Sequence, residues 1–193
     1  MLHLKLPTDP RWVNLTEKSL EDILTDHAYC EQKAASSCIS LIQKYPDRKR
    51  LVDELSPIVT EEWAHFRVVL QELNNRNLKL GVQRKDEYVA KLREHQRNGG
   101  HTDDRLLDLL LVFALIEARS CERFKLLSEN LEDEYFRDFY KKFMIAEAGH
   151  YRLFIDLANE YMPADVVKKR WDEFLEIEKN IMLNLSLRGD RMH

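Results

Sequence analysis

Glycine and proline are scarce in this chain, five of each in 193 residues, and runs of β-branched residues are few. A β-sandwich or a loop-rich fold needs more turn formers, so the sequence predicts an almost entirely helical protein. Cysteine is sparser still. Cys30, Cys38 and Cys121 form no CxxC pair, which excludes a zinc ribbon, a rubredoxin-type iron site and a thioredoxin-type redox motif, and leaves them as small buried hydrophobes. No run of 18 apolar residues occurs. The densest run, LLDLLLVFALIEA, is interrupted by Asp108 and Glu117 and reads as a core helix rather than a membrane span. The first residues, MLHLKLPTDPRW, have no basic segment followed by an apolar one, so a cytoplasmic protein is expected. An excess of positive charge is missing too: the formal net charge is -4, which argues against non-specific coating of nucleic acid while leaving room for a local basic patch.

What is present is ordinary for a globular protein, 44% hydrophobic and 33% charged residues, and the length suits one domain over residues 1–193. Punctuation marks the helices. The first is expected from Thr16, as N-cap with Ser19 close behind, to Lys44, because Pro46 pushes Tyr45 out of the helical region. A second runs from about Asp47 to Asn74, with a kink or break at Ser56-Pro57, which read as an N-cap and first-turn pair. The polar and basic connection that follows holds a short helix from Asp86 to about Arg97, ended by Gly99-Gly100. A third long helix is expected from Asp103 or Asp104 to about Ser128, a turn at 129–133, and a fourth to about Tyr161 before Pro163 opens a last one. The expected architecture is all-α: a four-helix bundle with a crossover containing a short helix, and an additional C-terminal helix.

Each of the four long helices carries a glutamate on its apolar stripe: Glu31, Glu62, Glu117 and Glu147. Two of these are followed three residues later by histidine, in Glu62-Trp63-Ala64-His65 and Glu147-Ala148-Gly149-His150, and residues three apart share a helix face. A single ExxH is commonplace. The spacing is more informative: Glu31 and Glu62 are 31 residues apart, Glu117 and Glu147 are 30 apart, and the midpoints fall in the two expected turns, at 46–47 and at 132. In an antiparallel pair, residues equidistant from the turn sit at one height, roughly 22 Å from it here. Four carboxylates and two imidazoles in a bundle interior would cost several kcal/mol each to bury unpaired. Two divalent ions supply the missing positive charge, and one glutamate from each of two helices with ExxH from the other two is the donor pattern of carboxylate-bridged di-iron and di-manganese bundles. Mixed oxygen and imidazole ligation suits iron or manganese better than a closed zinc site. Three neighbours have plainer readings. Glu61 falls off the stripe as a solvated residue. His27, one turn before Glu31, reads as a core histidine, with a supporting partner or a seventh ligand as alternatives. Gly149 makes room for a metal-bound ligand or for a close helix crossing.

The segments HAYCEQKAASS around Glu31, TEEWAHFRVVL around Glu62 and His65, LIEARSCERF around Glu117, and AEAGHYRLF around Glu147 and His150 resemble the MiaE family of ferritin-like tRNA hydroxylases. The resemblance extends from the first helix to about Tyr161. It implies a ferritin-like bundle and an oxygen-dependent, non-haem di-iron monooxygenase that hydroxylates the isopentenyl group of 2-methylthio-isopentenyl-adenosine beside the tRNA anticodon. It further implies two iron ions held by Glu31, Glu62, His65, Glu117, Glu147 and His150, with molecular oxygen as co-substrate. By analogy with di-iron enzymes generally, Glu62 and Glu147 would bridge the metals while Glu31 and Glu117 are terminal. With neither a Gly-rich dinucleotide motif nor a rubredoxin-like cysteine set, electrons would come from a separate, ferredoxin-like donor. Candidates for tRNA contact are Arg84, Lys85, Lys91, Arg93 and Arg97 in the crossover, or Lys44, Arg48, Lys49 and Arg50 at the first hairpin; their acidic neighbours fit a solvated face equally well. Arg119 and Arg123 would steer substrate or neutralise carboxylates. Two other functions share the donor pattern: an iron-oxidising storage protein of the ferritin type, and a peroxide-detoxifying enzyme like rubrerythrin or a manganese catalase.

Overall fold

The computed structural model describes residues 2–193, and among these seven helices and no strand form. They belong to two units, one made of residues 11–85 and 188–192, the other of residues 2–10, 86–187 and 193.

In the first unit α1 (Arg11–Glu17) precedes α2 (Leu20–Lys44) and α3 (Lys49–Asn75). Thr16 is not an N-cap. It lies inside α1, where its hydroxyl donates to the Trp12 carbonyl at 3.0 Å, and Ser19 precedes α2 instead. α1 has no signature in the sequence because seven residues are too few to establish a period; burial of Trp12 and Val13 holds it. The turn after Lys44 falls where Pro46 requires it, with Tyr45 N donating to Leu41 O at 3.0 Å and Arg48 N to Tyr45 O at 3.1 Å. α3 then runs unbroken through Pro57, so the expected break and the Ser56 N-cap do not form. Pro57 is tolerated because it lies exposed, where water can satisfy the Asp53 carbonyl that loses its helical donor. α2 and α3 pack as a hairpin around Leu24, Cys38, Leu41, Leu55, Val69 and Leu73, all buried.

Residues 188–192 are fixed to the same unit. Met192 N and Arg191 Nη1 donate to the two carboxylate oxygens of Asp26 at 2.8 and 3.0 Å, and Arg84 donates to Asp190 and Asp22 at 2.9 and 3.2 Å. Gly189 makes the approach possible, since a Cβ there would collide with the backbone of Leu15.

The second unit contains α4 (Glu87–Glu94), α5 (Thr102–Asn130), α6 (Glu134–Tyr161) and α7 (Ala164–Asn184). Asp86 caps α4 by accepting from Val89 N at 3.0 Å. α4 ends three residues earlier than expected because Arg97 turns its backbone N–H and its guanidinium toward Asp108 of α5. α5 is buried around most of its circumference and forms a hairpin with α6, closed by Phe124 against Tyr140 and Phe143 with ring centroids 5.6 Å apart in both pairs. Asp133 starts α6 by accepting from Tyr135 N at 2.9 Å. α7 buries Trp171, Phe174 and Ile181. Arg119, fully buried, ties α5 to α7 and to the N-terminal segment: its guanidinium donates to Glu178 at 2.6 Å, to Glu122 at 2.7 Å and to the Leu6 carbonyl at 2.9 Å. No helix among the described residues is long and apolar enough to cross a membrane.

Candidate metal centre

The α2–α3 hairpin brings three of the expected ligands together. Glu31 and Glu62 are buried, His65 keeps 18% of its side chain exposed, and one ligand atom from each lies within 4.8 Å of the others. His65 Nδ1 is 3.3 Å from Glu31 Oε2 and 3.6 Å from Glu62 Oε2. Burial works against protonation of His65, but Glu31 and Glu62 outweigh it and lift the imidazole to about 10. The i, i+4 spacing in α2 also sets His27, fully buried, with Nε2 2.8 Å from Glu31 Oε1. His27 is therefore buried as a core histidine would be, and it also lies beside Glu31 as a supporting partner, which the sequence offered only as an alternative. Glu61 is exposed and 4.0 Å from His65 Nε2, in keeping with a solvated residue.

The α5–α6 hairpin gathers the other three. Glu117, Glu147 and His150 are all buried, and one ligand atom from each lies within 4.8 Å of the others. His150 Nδ1 is 3.6 Å from Glu147 Oε2, a buried oxygen that accepts no hydrogen bond. Each hairpin thus holds two carboxylates and an imidazole in a few ångströms of buried space. Like charges so placed repel one another unless a cation lies between them, so the donors fit a metal ion bound through oxygen and nitrogen. Each triad has a thiol neighbour. Cys38 is pushed up to about 12 by burial and then by Glu62, and Cys121 to about 11 by burial and then by Glu147. Both stay protonated at neutral pH, as buried hydrophobes should, while Cys30 is only half-buried.

Two side-chain expectations change. Gly149 faces solvent, and a Cβ there would meet nothing within 4 Å; it makes room neither for a ligand nor for a helix crossing. Arg119 does neutralise carboxylates, but those of Glu178 and Glu122. Of the basic residues considered for phosphate contact, Arg84 is engaged by Asp22 and Asp190, Arg97 by Asp104 and Asp108, and Lys49 by Asp53.

Helices throughout the described residues, with two glutamates and a histidine collected in each of two hairpins, fit the ferritin-like class of bundles and a donor set compatible with metal. The full length, residues 1–193, matches the family described as tRNA-(MS[2]IO[6]A)-hydroxylase (MiaE), and the chain belongs to that family. It is 38% identical to the tRNA 2-(methylsulfanyl)-N(6)-isopentenyladenosine(37) hydroxylase of Pseudomonas putida, over 82% of this chain and 76% of that protein. It is 26% identical to the hydroxylase of the same name from Salmonella typhimurium, over 94% of this chain and 84% of that one. Among solved structures it is similar to a protein with aldehyde deformylating oxygenase activity from Synechococcus, with a TM-score of 0.92, 33% identity, and 98% of this chain and 94% of that chain covered. The resemblance carried by the four glutamate segments therefore holds over the whole chain, and so does the all-α, ferritin-like fold class.

Proposed function

We propose that this chain hydroxylates the isopentenyl group of 2-methylthio-isopentenyl-adenosine at position 37 of tRNA, as an oxygen-dependent monooxygenase using two iron ions. Membership of the tRNA hydroxylase family over the full length supports the substrate. The observation that carries the chemistry is that each hairpin independently gathers two glutamates and a histidine within 4.8 Å. In this reading residues 1–193 act as a single domain, Glu31, Glu62, His65, Glu117, Glu147 and His150 would hold the two ions, and Glu62 and Glu147 would be the carboxylates shared between them. Four carboxylate charges then balance those of two divalent ions, which removes the cost of burying either set alone.

Iron held there supplies the activation of oxygen needed to hydroxylate an unactivated C–H bond. The chain's own contribution is placement and exclusion of water. His27 holds one oxygen of Glu31 in place. Phe113 lies one turn before Glu117 and Phe154 one turn after His150, with ring centroids 5.4 Å apart edge to face. They form an apolar wall on the ligand face of the α5–α6 hairpin. Two electrons per turnover come from a separate, ferredoxin-like donor, since the sequence holds neither a dinucleotide motif nor a cysteine cluster of its own. The cytoplasm, where tRNA is found, is the proposed place of action.

The test is nucleoside analysis of bulk tRNA from a strain lacking this gene. The unhydroxylated nucleoside should accumulate, and the wild-type gene but not its Glu117→Ala variant should restore the hydroxylated form. Persistence of the hydroxylated nucleoside in the deletion strain would overturn the substrate. Consumption of an aldehyde by the iron-loaded protein, with modified tRNA left untouched, would point instead to the activity of the Synechococcus protein.

A further inference from the structure

Trp63 and Phe66 each follow a ligand of α3, Glu62 and His65, by one residue. Their rings stack with centroids 4.9 Å apart and planes at 29°, yet Trp63 remains 49% exposed and Phe66 is only half-buried. At about 100° per residue, Val59, Trp63, Phe66 and Leu70 occupy one flank of the helix beside Glu62, and Val59 and Leu70 are half-buried too. Arg67 stands one turn after Trp63, exposed, and makes no hydrogen bond or ion pair with any of the described residues. A flat ring held by a second ring, an apolar strip and an unengaged guanidinium, all within a turn or two of a metal ligand, match the chemistry of a nucleotide. The ring takes a base face and the guanidinium a phosphate.

We propose that Trp63 is the platform on which the purine of the substrate nucleotide stacks, with Phe66 setting the angle of the indole and Arg67 taking an adjoining phosphate. The proposal rests on the tRNA reading above and specifies how that substrate is held. A polyanion suits this flank because Arg67 stands exposed and unengaged beside the stacked rings, a free positive charge next to a base-sized apolar platform.

Trp63 is also its own reporter, because Trp12 and Trp171 are 0% and 8% exposed. The iron-loaded protein, kept anaerobic so that it binds without turning over, would be titrated with an anticodon stem-loop RNA carrying 2-methylthio-isopentenyl-adenosine. Saturation should quench the tryptophan fluorescence. Trp63→Leu should abolish the quench and weaken binding by about 5- to 100-fold, Trp63→Phe should stay within about fivefold of wild type, and Arg67→Gln should weaken binding and flatten its salt dependence. In steady-state hydroxylation Trp63→Leu should raise KM and leave kcat unchanged at saturating RNA. If the wild type hydroxylates the stem-loop but shows no quench, or Trp63→Leu binds as tightly as wild type, stacking is overturned and the tRNA reading stands. If the loaded wild type fails to hydroxylate the stem-loop, both fall. A change of oligomeric state in Trp63→Leu with unchanged RNA affinity would assign the flank to a second copy and overturn the proposal.

Discussion

Asp108 breaks the most apolar run in the sequence, and its side chain is fully buried. Two arginines direct five hydrogen bonds at it: Arg97 donates from its backbone N at 2.8 Å, from Nε at 3.1 Å and from Nη2 at 2.7 Å, and Arg170 donates from Nε and Nη2 at 2.9 Å each. Arg97 follows α4, Asp108 belongs to α5 and Arg170 to α7, so one carboxylate joins three segments. Removing one partner of a buried ion pair costs about 3–5 kcal/mol. The side chains of Arg97 and Arg170 are 36% and 19% exposed and can recover some hydration, which places Asp108→Ala at the low end, about 3 kcal/mol. Asp108→Asn keeps the shape and loses the charge, for a loss of about 2 kcal/mol. Urea denaturation of the metal-free protein at pH 7 measures both without the contribution of metal binding to the folded state. The pH dependence is a second check. Burial alone would raise the pKa of Asp108, but the donors on Arg170 and Arg97 outweigh it and hold it below the usual carboxylate value. The stabilisation is therefore fully present above about pH 4, the unfolded value, and is lost as the pH falls through the depressed native value. An Asp108→Ala loss below about 1 kcal/mol, or a wild-type advantage over Asp108→Asn that already shrinks between pH 5 and 7, would refute the reasoning.

Gly149→Ala should stabilise the protein by about 0.5–1 kcal/mol, because the position is interior to α6 and a Cβ there has open space; destabilisation in the same urea assay would show that something covers that face. His65, lifted to about 10 in the metal-free protein, adds stability that is complete below its unfolded value of about 6.5 and lost as the pH rises through about 10. Since a metal needs the neutral imidazole, loading at pH 7 should release about one more proton from wild type than from His65→Ala, and affinity should rise with pH. Equal proton release from the two proteins, read with an indicator dye, would contradict this.

The features legible in the sequence were those fixed by local chemistry. Pro46 marks the first turn through backbone geometry and the polar stretch 129–133 marks the second, and the paired spacings of Glu31 with Glu62 and Glu117 with Glu147 are centred on those turns. Pro57 does not end the helix, because its exposed position lets water replace the lost hydrogen bond, and that exposure was invisible in one dimension. Gly149 misled for a related reason: its neighbours Glu147 and His150 face inward, but one residue is about 100° of rotation, enough to point it at solvent. The partners of Asp108 and Arg119 lie as far off as Arg170 and Glu178 in α7, and no local pattern joins them. In the sequence Trp63 is only a residue inside the Glu62–His65 spacing, and its exposure in the fold is what sets it apart.

Whether both triads bind iron is decided by the iron content of the purified protein after anaerobic loading. Two iron ions per chain should bind to wild type, with clearly fewer in Glu31→Ala and in Glu117→Ala at unchanged helix content, since each variant breaks a different hairpin's triad. Fewer than two in wild type, or full loading of either variant, would contradict it.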